Sequence, residues 1–509
     1  EPEIRPAGGL PWTDDLPEQF ERRWGYSLID HLPGLTLPVG DWRRLRHNFF
    51  QTLNELFIER WARPYFDYCE RTGLEMTGHY WEHDWPRCLS VPDNMAMYAW
   101  QQRPAIDTLM NHYEEDTHAQ FGNVRAVREL SSIANQLGLS RTLCELYGAG
   151  GWDLRFEDMK RIGDWLQVLG VNTLNEHLSY VTLRGARKRD HPQSFSYHEP
   201  WWEAYHVSAS YFTRLSVALS HGQQINRVLV LEPTTTAWMH QGDEASLKEL
   251  GDSFTRVLMD LERAQIEYDL GCEDVIARHG SATSTGLRIG QRTYPIVVLP
   301  PRTENITLTT VTLLEKFVAN GGRLLACDAP PARLNGEPSD RATAMARQPG
   351  WTTVESRKLP ELLMEPEATF QITRTPGDSG ILFHHRRQFD DGQILFLVNT
   401  SNTHPSSGTV QAKAGGIEAW DLRTGEITPH AFESDNGRVQ SPFTLPPSGS
   451  LLLFLTRRPI DSPQVASLQT VPINAEGPPQ VQRLQPNVLT LDFVDITAGG
   501  ETRTNVYFY

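Results

Sequence analysis

No apolar run in this 509-residue chain approaches the ~20 residues that a bilayer-spanning helix needs. Leu451 to Leu455 is among the longest and reads as a strand, so a membrane span is not expected. Cysteine is scarce and odd in number: Cys69, Cys88, Cys144, Cys272 and Cys327 are scattered, mostly within apolar segments. No disulfide or metal-ligand spacing links them, which favours buried thiols. Positive charge is in deficit, with 47 Lys and Arg against 63 Asp and Glu, a net charge of −16. That balance argues against nucleic acid as a partner and leaves the fold open. Repeats and low-complexity blocks are missing. So is any signal peptide near Glu1, and the first residue is not Met. The chain ends within an alternating pattern at Val506-Tyr507-Phe508-Tyr509, so it reads as a piece of a larger protein.

What is present has the make-up of a globular chain, and its length suggests about three or four domains. After a Pro- and Gly-rich start, a helix is expected from Trp42 to Thr72, striped by Leu45, Phe49, Leu53, Leu56, Phe57 and Trp61 and stopped by Gly73. Leu74 to His79 reads as a strand, Pro104 to Leu137 as a helical region broken near Phe121-Gly122, and Thr142 to Tyr147 as a strand. Phe156 to Leu169 then reads as a helix and Val171 to Asn175 as a strand. Strand, helix, strand at these lengths is a βαβ unit, which implies a parallel sheet and part of a (β/α)8 barrel over residues 1–220. A second alternation over 221–330, with strands at Arg227 to Leu231, Ile266 to Leu270, Tyr294 to Leu299 and Arg323 to Cys327, reads as a flavodoxin-like α/β domain. It lacks GxGxxG and GxxxxGK[ST], so a nucleotide is not expected there. Residues 331–460 shift to short alternating strands, an antiparallel β domain. Residues 461–509 read as a Pro-rich linker from Pro459 to Pro479, then a further β-sandwich opening at Val488 to Ile496.

Three glutamates stand at strand ends or in loops beside aromatic and imidazole side chains: Glu145, Glu176 and Glu199. Glycoside hydrolysis needs one carboxyl group to protonate the leaving oxygen and another to activate water or attack the anomeric carbon. Neighbouring parallel strand ends can fix their separation. Glu145 precedes Tyr-Gly-Ala-Gly-Gly-Trp and should sit at a rim; Glu176, between Asn175 and His177, is read as its equivalent one βα unit later. Glu199, with His198 and Trp201 beside it, is read as a loop contributor to sugar binding, as is Tyr180. The basic run Arg184, Arg187, Lys188, Arg189 is more simply a solvated face. His79-x-x-Glu82-His83 has the order of an inverted zinc-peptidase motif, which needs a helix. Here a strand precedes it and Pro86 follows, so Glu82 at a strand end, with His79 and Trp81 lining the same cleft, is the better reading.

These segments together resemble the α-L-rhamnosidases of glycoside hydrolase family 106. The resemblance rests on Pro11-Trp12-Thr13, Gly25-Tyr26, Gly78-His79 with Glu82, and Cys144 to Leu154. Phe156-Glu157-Asp158, Gly170-Val171-Asn172 and Arg184-Gly185-Ala186-Arg187 add to it. It implies a partial barrel, a glutamine-amidotransferase-like α/β domain behind it, and β domains. It also implies an inverting mechanism on two glutamates among Glu82, Glu145 and Glu176, with calcium as an assisting ion. His79, Trp81, Asn175, His177, Tyr180, His198, Glu199 and Trp201 become the expected sugar contacts. The expected partner is a carbohydrate and the expected location periplasmic or extracellular. A β-galactosidase-like barrel enzyme and a non-catalytic carbohydrate-binding protein are the competing expectations.

Overall fold

The apolar stripe beginning at Trp42 folds as helix α1 (Trp42–Phe57), which continues through a π-helical turn, Ile58–Ala62, into α2 (Arg63–Thr72). Gly73 ends it at φ 69°, a conformation that favours glycine. A computed structural model describes residues 9–189, 191–364, 369–463, 477–478, 480–482 and 493–507.

Four short parallel strands follow in chain order: β1 (Thr77–Gly78), β2 (Arg103–Thr108), β3 (Leu143–Leu146) and β4 (Thr173–Glu176). Strand β2 corrects the sequence reading, which began a helix at Pro104. Six residues are too few to show a period, and burial decides the matter: Ala105 and Ile106 are fully buried and pair with Leu143 and Cys144. The helix starts only at Val124. This α3 (Val124–Leu137) is capped by the Asn123 side chain, which accepts from Ala126 N, and is closed by Gly138 at φ 74°. Helix α4 (Phe156–Leu169) lies where its spacing predicts, with the Asp158 carboxylate accepting from Arg155 N at 3.1 Å. Helix α5 (Tyr205–Ser220) packs on α4 at Gly163, where a Cβ would collide with the Phe212 ring.

The second sheet is wholly parallel. Its strands are β5 (Val228–Leu231), β6 (Tyr268–Gly271), β7 (Ile296–Leu299), β8 (Arg323–Ala326) and β9 (Trp351–Thr353), arranged β9-β8-β7-β5-β6. This is the 2-1-3-4-5 order of a doubly wound sheet. Its edge strand comes from beyond residue 330, where composition alone had already turned to Pro, Gly and Thr. Helices α6 (Thr234–His240), α7 (Glu244–Arg263) and α8 (Leu308–Ala319) belong to its crossovers.

Two antiparallel sheets then face each other. Arg438–Leu445 alternates strictly between exposed and buried, and sends Val439, Phe443 and Leu445 to an apolar layer with Leu395, Leu397 and Leu453. The six-stranded sheet takes its last strand from Gln223–Gln224, ahead of β5.

Two crossover helices hold these layers together. Helix α3 faces the first sheet and also β6: Ser132 Oγ accepts from Leu270 N at 2.7 Å, and Gln136 Nε2 donates to Leu270 O at 2.8 Å. Helix α4 reaches the antiparallel layers, with Arg161 Nε donating to Thr400 O at 2.6 Å and Lys160 Nζ to Ser450 Oγ at 2.8 Å. All five cysteines are buried, and none is in a disulfide. No helix among the described residues is long and apolar enough to cross a membrane. Most of the Pro459 to Pro479 stretch, and Val488 to Asp492, lie outside the described residues. Phe493–Ala498 pairs with Glu501–Tyr507 as an antiparallel hairpin.

Candidate active site

The carboxyl ends of β1 to β4 gather the acids. Register sets Asp107, Glu145 and Asn175 side by side on β2, β3 and β4. Alternation along a strand puts these three on one face of the sheet. Glu176 pairs with Leu146 instead, one residue further, so it leaves the sheet on the other face. Glu145 and Glu176 are therefore neighbours but not equivalents, which corrects the sequence reading. A single-residue offset between strands is invisible in an apolar run of four.

Glu145 sits between two imidazoles. Its Oε2 lies 2.8 Å from His79 Nε2, delivered by the turn after β1, and its Oε1 lies 3.8 Å from His177 Nε2, just past β4. Glu145 stays 9% exposed, and Asn175 beside it is open to solvent. The chain turns sharply past β3: Tyr147 adopts φ 69° and its hydroxyl donates to Met159 O at 2.8 Å. Glycine follows for a reason of space. A Cβ at position 148 would meet Leu109 Cδ2 at 2.5 Å and the His177 ring at 3.1 Å. The turn therefore lets His177 approach the carboxylate.

Glu82 lies beneath this layer, 1% exposed, in a 3-10 turn (Glu82–Asp84). Its Oε1 accepts from Tyr80 N and from Tyr98 Oη, both at 3.1 Å. Burial pushes its carboxyl up to about 8, outweighing the lowering effect of His79. His83, part of the zinc-motif order, lies between the carbonyls of Ala119 and Asp107 at 3.2 and 3.1 Å. It is a structural staple in a turn, not a ligand on a helix.

Glu176 accepts a short hydrogen bond from Tyr205 Oη, at the start of α5. Tyr205 stacks on Trp202, with ring planes 13° apart, and touches Trp201 and Phe195. Tyr180 is pinned by its amide to Ser194 Oγ at 2.9 Å, while His191 brings its ring to 5.3 Å from that of His177. His198 packs against Tyr197 with ring planes tilted by 42°, and Trp201 lies in the aromatic cluster with Phe156 and Phe195. Glu199 turns inward, 5% exposed, toward Ser194 N, and burial raises its carboxyl. It braces its own loop. Trp81 packs half-buried against the core.

The structure thus brings together His79, Glu145 and His177, with Asn175 beside them and Glu82 below. His198, Glu199 and Trp201 form a separate loop layer. Sequence reasoning missed Asp107, Tyr98 and Tyr205. The signal for Asp107 was Ala105-Ile106-Asp107, an apolar pair ending in an acid like Leu143-Cys144-Glu145, hidden by the helical reading. Calcium takes about 6–8 oxygen ligands. Among the described residues no group of three or more acids, histidines or cysteines is arranged to hold a metal ion, and no step is derived through the calcium that the family resemblance implies.

A carboxylate between imidazoles thus lies at the carboxyl ends of parallel strands, beside a second acid set among aromatic rings. The glycoside hydrolase family 106 model, described as alpha-L-rhamnosidase, matches residues 5–434, and the chain belongs to that family. Among solved structures it is similar to a rhamnosidase from Novosphingobium sp. PP1Y (TM-score 0.72, 19% identity), covering 92% of this chain and 45% of that one. It therefore spans less than half the length of that rhamnosidase. It is also similar to Gan42B, a GH42 beta-galactosidase from G. stearothermophilus (TM-score 0.60, 12% identity, 89% and 78% covered). An exo-carrageenase of GH42 from Bacteroides ovatus gives 0.59 at 10% identity, with 89% and 64% covered. At such identities the likeness speaks for the fold. Among curated protein sequences, none matches this chain.

Proposed function

We propose that this chain carries the catalytic centre of a hydrolase that removes a terminal α-L-rhamnosyl residue from a carbohydrate. In this reading the four-stranded sheet is the described portion of a (β/α)8 barrel. The observation that carries the proposal is Glu145, clamped at the end of β3 between His79 and His177 and flanked in register by Asp107 and Asn175.

Glu145 acts as the base. It takes a proton from water, whose oxygen bonds to the anomeric carbon. The glycosidic C–O bond breaks, and the leaving oxygen takes the proton of the Glu176 carboxyl group. Tyr205 holds Glu176 Oε1, which leaves Oε2 for that proton. The two acids come from the ends of neighbouring strands, and a gap between them wide enough for a water goes with inversion. Asn175, His177 and Tyr180 orient the sugar. Glu82 is a positioning residue: too buried to touch substrate, it holds the floor under His79. The loop of His198, Glu199 and Trp201 shapes the wall. A carbohydrate substrate of this kind suits a periplasmic or extracellular location, which fractionation of the source cells checks.

Glu145→Gln and Glu176→Gln should each lower kcat on an aryl α-L-rhamnoside by about 10²- to 10⁴-fold, with thermal unfolding unchanged. Near-normal turnover in either variant removes that residue from the mechanism. NMR of the first-formed product should show the β-anomer; a retained anomer makes Glu145 a nucleophile instead of a base. Turnover of aryl β-galactosides in place of rhamnosides would reassign the sugar.

A further inference from the structure

The second sheet has a site-like feature that hydrolysis does not use. In open α/β sheets, ligands bind outside the carboxyl ends of the strands where the strand order reverses. Here that point lies between β5 and β7. A crevice of about 300 Å³ opens there, lined from three strand ends by Thr236, Thr303, Glu304 and Asp328 among others. That volume is at the small end of ligand pockets and is ample for one sugar ring.

The chemistry of the lining narrows the ligand. Glu304 is already matched by His240 at 2.8 Å, Arg43 at 3.2 Å and Arg333 at 3.4 Å. Those hydrogen bonds and charges keep its carboxylate below the usual range, an acceptor at neutral pH. Arg302 is held in a left-handed backbone (φ 63°), its amide donating to Asp328 Oδ2 at 2.9 Å and its guanidinium paired with Glu249. Strain of this kind concentrates where a loop is shaped for a ligand. Glu304 and Arg302 are therefore charge-matched within the protein, Asp328 is held by a backbone amide, and hydrogen-bonding capacity is what remains. An anion would meet two carboxylates, and a cation would meet the arginines. One wall is apolar, made by Leu250, Ala329 and Pro330. Interleaved donors and acceptors opposite an apolar wall complement the hydroxyl edge and the C–H face of a pyranose.

We propose that the crevice at the carboxyl ends of β5, β7 and β8 binds a neutral monosaccharide, apart from the site at Glu145. The proposal stands whether or not Glu145 is catalytic.

The full chain carrying Glu145→Gln is titrated by calorimetry with L-rhamnose, L-fucose and D-galactose. At least one should bind with a Kd of about 1–10 mM, an ordinary strength for a single small ring. Ala329 and Ala332 are exposed on the rim, so Ala329→Trp and Ala332→Trp fill the crevice from outside; either should remove the binding event of this crevice, and leave any at the Glu145 site, at an unchanged Tm. Hydrogen exchange on the unaltered protein gives a second readout, with protection expected over residues 300–304 and 328–332 on adding the sugar. Absence of binding by all three sugars overturns the proposal. So does an isotherm that both tryptophans leave unchanged, protection confined to the Glu145 site, or a response to an amino acid or phosphate in place of sugar.

Discussion

At Glu82 the loss of hydration outweighs the attraction of His79, and the carboxyl group rises from its ordinary 4.5 to about 8. The folded protein therefore keeps a proton that the unfolded chain gives up. Between these two values unfolding releases the proton, so the stabilising share of Glu82 is fully present below pH 4.5 and is lost as pH rises through 8. Glu82→Gln removes the titration and keeps the shape. Its unfolding free energy should fall less steeply than that of the unaltered protein across this window, by up to about 1.4 kcal/mol per pH unit. Parallel curves from urea melts at several pH values would show that Glu82 does not hold its proton. The same residue shows what a sequence conceals: His79-x-x-Glu82-His83 advertises acids and imidazoles, but not that one glutamate is sealed in and one histidine is tied to backbone.

The elements differ in how much of them can be read from the chain. The continuous helix from Trp42 to Thr72 and helix α4 carry apolar stripes and end at glycine, and the doubly wound alternation has strands buried on both sides, so these were legible. Strand β2 was not, because its burial comes from partners far along the chain. Nor was the offset between Glu145 and Glu176, since register is a property of pairing and not of either strand. Where the antiparallel layers meet the second sheet, Arg386 grips Glu267 at 2.6 and 2.8 Å, with His384 at 3.4 Å. Burial alone would raise Glu267, but Arg386 and His384 bring it down to about 2. Its stabilising share is present above its ordinary 4.5 and is lost as pH falls toward 2. Arg386→Gln should shift acid unfolding to higher pH and leave stability above neutrality lower but level. An unchanged acid midpoint would mean the pair is idle.

At the scale of the molecule, the layers meet through buried charge as well as through apolar contact. Arg128 on α3 makes two bonds to Glu262 on α7, at 2.8 and 3.0 Å, and Tyr268 Oη donates to Glu262 at 2.9 Å. Arg128→Met leaves a buried carboxylate unmatched, at a cost of about 3–5 kcal/mol. Calorimetry should show the transition moving down in temperature as a whole; a separate early peak for one sheet would contradict a shared layer. Helix α3 is the reason. It closes a crossover of the first sheet while its Ser132 and Gln136 complete the backbone pairing of β6 in the second. A helix that answers to two sheets cannot be optimised for either alone, and a substitution on one side is felt by strands on the other. Recombination that exchanged the second sheet for a foreign one would have to bring a matching α3 with it, so the two sheets are constrained to be inherited together.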